Sequence, residues 1–304
     1  ITKKKVKKKI LIIYNKIWPY RIKIFDLINE HFDLTVSYTD PQFKNKKYNF
    51  KTLYLPVVTI GPFSFHKKNL NSLAKNYDAV IGLSDIRWIR LMSLGFNPWR
   101  KYKYILWGIG VRASYKNNFD AKTKMDIVRF FFTKRVDALV FYSSYPIKKY
   151  VNQGFLENMM FVANNTVDAP FNPDKTFKRN QLLFIGTLYK EKRIEILLDA
   201  YRELKTIDND ILPLKIVGGG ENFDNIKSWI SDNDLNNSIE LLGPIYDKHK
   251  LEEVFRSSVA CISPNQAGLS VLSSMAYGCV FITKEEAITG GEVFNITHEE
   301  TGLF

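Results

Sequence analysis

Twelve short aliphatic runs, separated by amphipathic stretches, constrain this chain more than any other feature. In the first half they are KILIIY (9–14), DLTVSY (33–38), TLYLPVV (52–58), DAVIG (78–82), KYILW (103–107), DALVFY (137–142) and MMFVA (159–163). In the second half they are QLLFIG (181–186), LPLKIVG (212–218), SIELLG (238–243), VACIS (259–263) and CVFIT (279–283). Runs of this length, rich in Ile, Val and Leu, read as strands buried on both faces. The stretches between them carry a helical period, as in IEILLDAYRELK (194–205), where Ile194, Leu197, Leu198, Tyr201 and Leu204 share one face. Strands alternating with helices predict parallel sheets covered on both sides. The pattern occurs on both sides of the Asn-, Pro- and charge-rich segment NNTVDAPFNPDKTFKRN (164–180), so two doubly wound Rossmann-like domains are expected. The boundaries predicted are residues 1–168, a linker at 169–180, and residues 181–304.

A chain of 304 residues with 45% hydrophobic and 25% charged residues can fill two such cores. Its charge is unevenly divided. Residues 1–170 hold 30 Lys and Arg against 11 Asp and Glu, whereas residues 171–304 hold 14 against 20. The two halves should therefore face different partners. The basic half lacks any helix-turn-helix, RNA-recognition or zinc-finger pattern, so nucleic acid is not an expected partner. The two cysteines, Cys261 and Cys279, sit inside apolar runs and read as buried thiols. Four scattered histidines (His31, His66, His249 and His298) show no ligand spacing, so no metal site is expected. The basic-then-apolar start KKKVKKKILIIY is too short in its apolar part for a membrane span and reads as a first strand. A cytoplasmic or peripheral location follows.

In open parallel sheets, ligands bind where strand ends meet helix N-termini. Glycines mark four such ends in the second half: Gly186, Gly218-Gly219-Gly220, Gly243 and the turn at Gly268. The blocks FIGTLYKEKRIEILLDAYRELK, LKIVGGGENFDNIKSWISD, IELLGPIYDKHKLEEVFRSS, CISPNQAGLSVLSSMAYGCVFIT and HEETGLF follow one another from residue 184 to the end. Taken together they resemble the nucleotide-binding domain of GT-B glycosyltransferases, most similarly the retaining family 4 (group 1). PYRIKIFDLI (19–28), WGIGVR (107–112), DALVFYSS (137–144) and NNTVD (164–168) are weaker echoes in the first half.

The resemblance implies a GT-B fold whose two domains face an interdomain cleft. Its implied activity is metal-independent, retaining transfer of a sugar from a UDP- or GDP-linked donor to a glycan or lipid-linked acceptor, in bacterial surface polysaccharide synthesis. No cofactor beyond the nucleotide sugar is implied. Lys192 matches the lysine of the leaving diphosphate. Gly186, Thr187, Gly219, Tyr246, Asn265, Gly268, Leu269, Ser270 and Ser273 fall at donor-side positions, and Tyr20, Arg21, Trp107 and Ile109 at acceptor-side ones.

Departures from the family are equally specific. Asn265 and Ser273 stand where two glutamates are usual, Thr187 replaces a basic residue, and Ile109 occupies the place of a histidine. These losses keep open the alternative of an inactive nucleotide-sugar-binding or scaffolding protein. Asp85, at the end of the DAVIG strand, is a candidate base by position, with a helix cap as its plainer role. The segments RWIRLMSLGFNPWRKYKY (87–104) and KMDIVRFFFTKR (124–135), together with the lysines at 3–9, suit an anionic membrane surface as a further partner. The chain ends at Thr301-Gly302-Leu303-Phe304, where the resemblance implies that relatives continue into further helices.

Overall fold

The computed structural model describes residues 6–114, 119–170 and 176–304. Lys3, Lys4 and Lys5 of the basic start, and residues 171–175 of the expected linker, lie outside these. The chain divides into two compact units, residues 1–111 with 122–164 and residues 112–121 with 165–304.

The first unit runs β1 (Lys9–Ile13), α1 (Pro19–His31), β2 (Asp33–Tyr38), β3 (Lys51–Tyr54), β4 (Val57–Ile60), β5 (Phe63–His66), α2 (Leu70–Ala74) and β6 (Ala79–Leu83). It continues with α3 (Ile89–Met92), β7 (Lys103–Gly108), α4 (Lys124–Thr133), β8 (Ala138–Phe141), α5 (Tyr145–Val151) and β9 (Met160–Val162). Seven strands form one parallel sheet in the order β3-β2-β1-β6-β7-β8-β9. Alternate residues of β1 serve opposite faces. Ile10 and Ile12 pack with Phe25 of α1, Leu34 and Val36, while Leu11 and Ile13 pack with Val80, Leu91 and Leu139.

TLYLPVV, expected as one strand, is two. Pro56 has no N–H to give to a ladder. The chain leaves the sheet there, and β4 instead forms an antiparallel hairpin with β5. Gly61 closes that hairpin with a φ of +55°, in the left-handed region.

The second unit contains β10 (Gln181–Ile185), α6 (Ile194–Ile207), β11 (Leu214–Val217), α7 (Phe223–Asp232), β12 (Ile239–Gly243), α8 (Lys248–Arg256) and β13 (Ser258–Ile262). After these come β14 (Gln266–Ala267), α9 (Leu269–Ala276), β15 (Val280–Ile282), β16 (Ile288–Thr289) and β17 (Gly302–Leu303). Its sheet, β12-β11-β10-β13-β15-β17, is again parallel. Leu183 faces the cluster of Cys261, Val271 and Phe281, and Phe184 faces Leu197, Leu198, Tyr201 and Ile226. Each unit thus repeats a doubly wound order that reverses beside its first strand, between β1 and β6 and between β10 and β13.

His66, at the end of β5, is 1% exposed and lies 5.3 Å from the Trp88 ring. Burial, with the Arg90 charge adding to it, pushes its imidazolium down to about 4. The unfolded chain takes up this proton near pH 6.5 and the folded chain only near 4. Stability from the neutral imidazole is complete above the upper value and is lost as pH falls through the window, by about 2–3 kcal/mol. Thermal denaturation between pH 7 and 4 should show a Tm falling with acidity, and His66→Phe should flatten that slope.

Candidate functional site

At the C-terminal ends of β10, β11 and β13 the second unit brings together three turns. The first, Gly186–Leu188, lies against the glycine run after β11. Gly186 N donates to Val217 O (3.0 Å), Leu188 N to Gly219 O (2.9 Å) and Asn222 N to Leu188 O (3.0 Å). A Cβ on Gly218 would stand 1.9 Å from the Gly186 carbonyl oxygen. No side chain fits at Gly218, so the two turns can meet only with glycine there.

This contact positions Lys192. The chain leaves the Gly186 turn through a single 3₁₀ turn, Lys190–Lys192, and Arg193 then adopts a left-handed φ of 55° to enter α6. Lys192 is 7% exposed, and its Nζ lies within 3.1 Å of where a Gly186 Cβ would be. Burial pushes its ammonium down to about 8. No carboxylate pairs with it among the described residues. The nearby Cys261 thiol is pushed up to about 12 by burial, so it stays neutral and supplies no counter-charge. An enclosed cation without a protein anion at a strand end suits a multiply charged anionic ligand.

The third turn braces the segment that follows the first. Asn265, buried, donates its Nδ2 to the Glu191 carbonyl (2.8 Å), and the Tyr189 hydroxyl donates to Gln266 Oε1 (3.2 Å). Gly268 then opens α9 without a side-chain cap. The first amides of such a helix have no intrahelical acceptor, and Leu269 and Ser270 carry them. The Ser273 hydroxyl donates to Leu269 O (3.2 Å). At the two places where the family resemblance implies glutamates, both side chains therefore bond to backbone.

Not all donor-side candidates share this surroundings. Gly219 faces Pro244 with room for a methyl group, Thr187 is exposed, and Tyr246 is 87% exposed beyond β12. The bonds of Tyr189 and Gln266 escaped sequence reading because neither residue type signals a turn brace. Glu292 also went unmarked. It is buried and accepts from Asn165 Nδ2 (2.7 Å), Gly290 N (2.8 Å) and Thr289 Oγ1 (3.2 Å), fixing the loop after β16. Among the described residues, no three His, Cys, Asp or Glu side chains converge as metal ligands.

In the first unit, the ends of β1, β7 and β8 hold an aromatic cage. Arg21, expected as an acceptor-side contact, is instead 2% exposed. Its Cζ lies 4.6 Å from the Trp107 ring, 4.9 Å from Tyr142 and 5.4 Å from both Tyr14 and Tyr20. The Tyr14 and Tyr142 hydroxyls bond to each other at 2.9 Å. Cation–π attraction in so desolvated a place explains why the guanidinium turns inward. Ile109 packs at the edge of the same cluster. Asp85 caps no helix: the N-cap of α3 is Trp88. Its carboxylate takes Arg87 Nη2 at 2.6 Å and Nε at 3.0 Å, along with the Arg87 amide.

The family model described as "Glycosyl transferases group 1" matches residues 168–304. No curated protein matches the chain by sequence. Solved structures match its fold. HepE from Anabaena, crystallised with UDP and glucose, gives a TM-score of 0.70 at 14% identity, covering 97% of this chain and 85% of HepE. The lipopolysaccharide outer core galactosyltransferase WaaB, in its apo form, gives 0.65 at 16% identity, with 97% and 85% covered. The pneumococcal O-GlcNAc transferase GtfA, with UDP and GlcNAc, gives 0.68 at 11% identity, with 98% and 87% covered.

The packing separates two neighbouring glycines. Gly218→Ala should destabilise the protein by more than about 3 kcal/mol, whereas Gly219→Ala should cost less than about 1 kcal/mol. Chemical denaturation of the two variants checks this.

Proposed function

We propose that this chain, which has the GT-B fold and whose second unit is a group 1 glycosyl transferase domain, moves a sugar from a UDP-linked donor to a glycan or lipid-linked acceptor. The observation that carries this reading is the enclosed Lys192 ammonium, set on a glycine turn beside the N-terminus of α9. It can take the diphosphate of a nucleotide sugar, with the Leu269 and Ser270 amides sharing the charge. UDP is favoured over GDP because the HepE and GtfA structures hold UDP.

As the glycosidic bond to the diphosphate breaks, negative charge grows on the leaving oxygen. Lys192 and the amides stabilise it without a resident metal. A retaining, front-face course assigns acceptor deprotonation to the leaving phosphate, so no side-chain base is needed. Asp85, clasped by Arg87, is the weaker candidate for that step. The acceptor belongs to the first unit, near Tyr20, Trp107 and Ile109, with Arg21 supporting that surface from within. The protein acts peripherally at the cytoplasmic face of a membrane, in surface polysaccharide assembly.

One observation favours a second reading. Asn265 and Ser273 turn their polar groups to backbone, and a protein that binds the donor without transferring its sugar would tolerate that. Nucleotide binding with no UDP release, when a panel of acceptors is supplied, would select it.

A thermal-shift panel of UDP-, GDP-, dTDP- and CMP-sugars tests the donor site. UDP-sugars should stabilise the protein, and Lys192→Ala should weaken binding by about 10- to 100-fold. Because the free ammonium titrates near 8, affinity for UDP should fall by up to about tenfold between pH 7 and 9. That dependence should vanish in Lys192→Ala. A response to no nucleotide, or one indifferent to Lys192, would overturn the reading.

A further inference from the structure

A second basic feature lies at the other end of the first unit's sheet from Trp107 and Tyr142. The N-terminal ends of β7 and β8 open into a cleft of about 450 Å³, whose lining includes Arg100, Lys101, Lys103, Lys134 and Arg135. Asp137 is the one acidic residue lining it, and it is already held by Arg100 and by Lys103 at 3.3 Å. Lys101, Lys134 and Arg135 are exposed. The cleft therefore carries a surplus of positive charge that its own carboxylate does not neutralise.

Apolar side chains rim it. Trp99, beside the cleft residues Pro98 and Arg100, is 85% exposed. On α4, Ile127 (73% exposed) and Phe131 (54%) lie four residues apart on one face, which leads to Lys134 and Arg135 at the cleft. Phe131 meets Phe96 at 5.2 Å, and the Arg135 guanidinium lies 5.2 Å from the same Phe96 ring. The apolar stripe and the basic cleft are thus one continuous surface. α4 is only ten residues long and opens with a capping box between Thr123 and Asp126, so it is a helix of the fold with one unpartnered face.

We propose that this surface, the cleft of Lys101, Lys134 and Arg135 with its rim of Trp99, Ile127 and Phe131, docks the protein onto an anionic lipid bilayer. Charge complementarity selects the occupant's sign, and the exposed apolar rim selects a bilayer over a soluble polyanion. Phosphate or nucleic acid would engage the cations and leave Trp99, Ile127 and Phe131 in water. Two weak signals on one face, basic and apolar, are what reversible membrane binding requires. The proposal deepens the peripheral-membrane part of the functional reading by naming the face, and its test is independent of sugar transfer.

The full chain is incubated with vesicles of phosphatidylcholine alone, and with vesicles in which a third of the lipid is phosphatidylglycerol. Partition is read by co-sedimentation and by quenching of tryptophan fluorescence with brominated lipid. Binding is expected to the anionic vesicles only, weakening with salt. Each basic residue near such a surface is worth about fivefold. The paired change Lys101→Glu with Lys134→Glu should therefore lower partition by at least about tenfold. Lys46→Glu with Lys47→Glu, at the opposite edge of the same sheet, should lower it far less. Trp99→Phe should remove most of the quenching while leaving the fold intact. Equal loss from the two charge pairs, binding to neutral vesicles alone, no partition, or displacement by RNA without lipid quenching in the wild type would each overturn the proposal. The UDP-sugar thermal shift, measured on the same samples, reports the donor site separately.

Discussion

Two backbone turns approach each other so closely in the second unit that one of them, at Gly218, can carry no side chain at the point of contact. Gly186 and Gly218 meet there, and the space one of them leaves vacant is filled by the end of Lys192. Much of the arrangement around Lys192 depends on this contact. It lies where β10 hands the chain to α6, just before the left-handed residue Arg193 and the Lys190–Lys192 turn that Asn265 bonds. A charged group is kept in a desolvated place by the packing of uncharged ones.

The first unit repeats the strand order and solves the same problem differently. Its buried cation, Arg21, is wrapped by four aromatic rings rather than set on bare backbone. The planar guanidinium can stack on those rings in a way that a compact ammonium cannot. One topology thus yields a cation held ready in the second unit and a cation consumed by packing in the first. Strand order alone does not distinguish these outcomes, which is why fold and site have to be derived separately.

The sheets were legible in the sequence because aliphatic runs of five to seven residues leave few alternatives when amphipathic helices separate them. The places where the chain departs from that reading have local causes. Pro56 ends a strand that hydrophobicity alone would continue, and the two-residue strands β14, β16 and β17 are too short to leave a pattern. The glycine ladder could be found from the sequence, since close backbone approach demands one residue type, whereas Lys192 was marked only by the family resemblance. Arg21, Asp85 and Asn265 could not be placed in the same way. Whether a polar side chain faces ligand, ring or backbone is decided by neighbours distant in sequence, such as Trp107 and Tyr142 for Arg21. Asp85 was readable as a strand-end carboxylate, but its clasp by Arg87 depends on the turn that follows. Neither Gln266 nor Glu292 carried a signal of its own.

The burial of Lys192 also has a thermodynamic side. An amine that titrates near 8 is already partly neutral in the empty protein, whereas one facing a diphosphate must be charged. On the proposed reading, ligand capture is coupled to uptake of a proton from solvent, and ligand release returns it. The heat of binding the proposed donor would then include the ionisation heat of the surrounding buffer, so the enclosure that holds the lysine in place would also make nucleotide exchange a proton-exchange event.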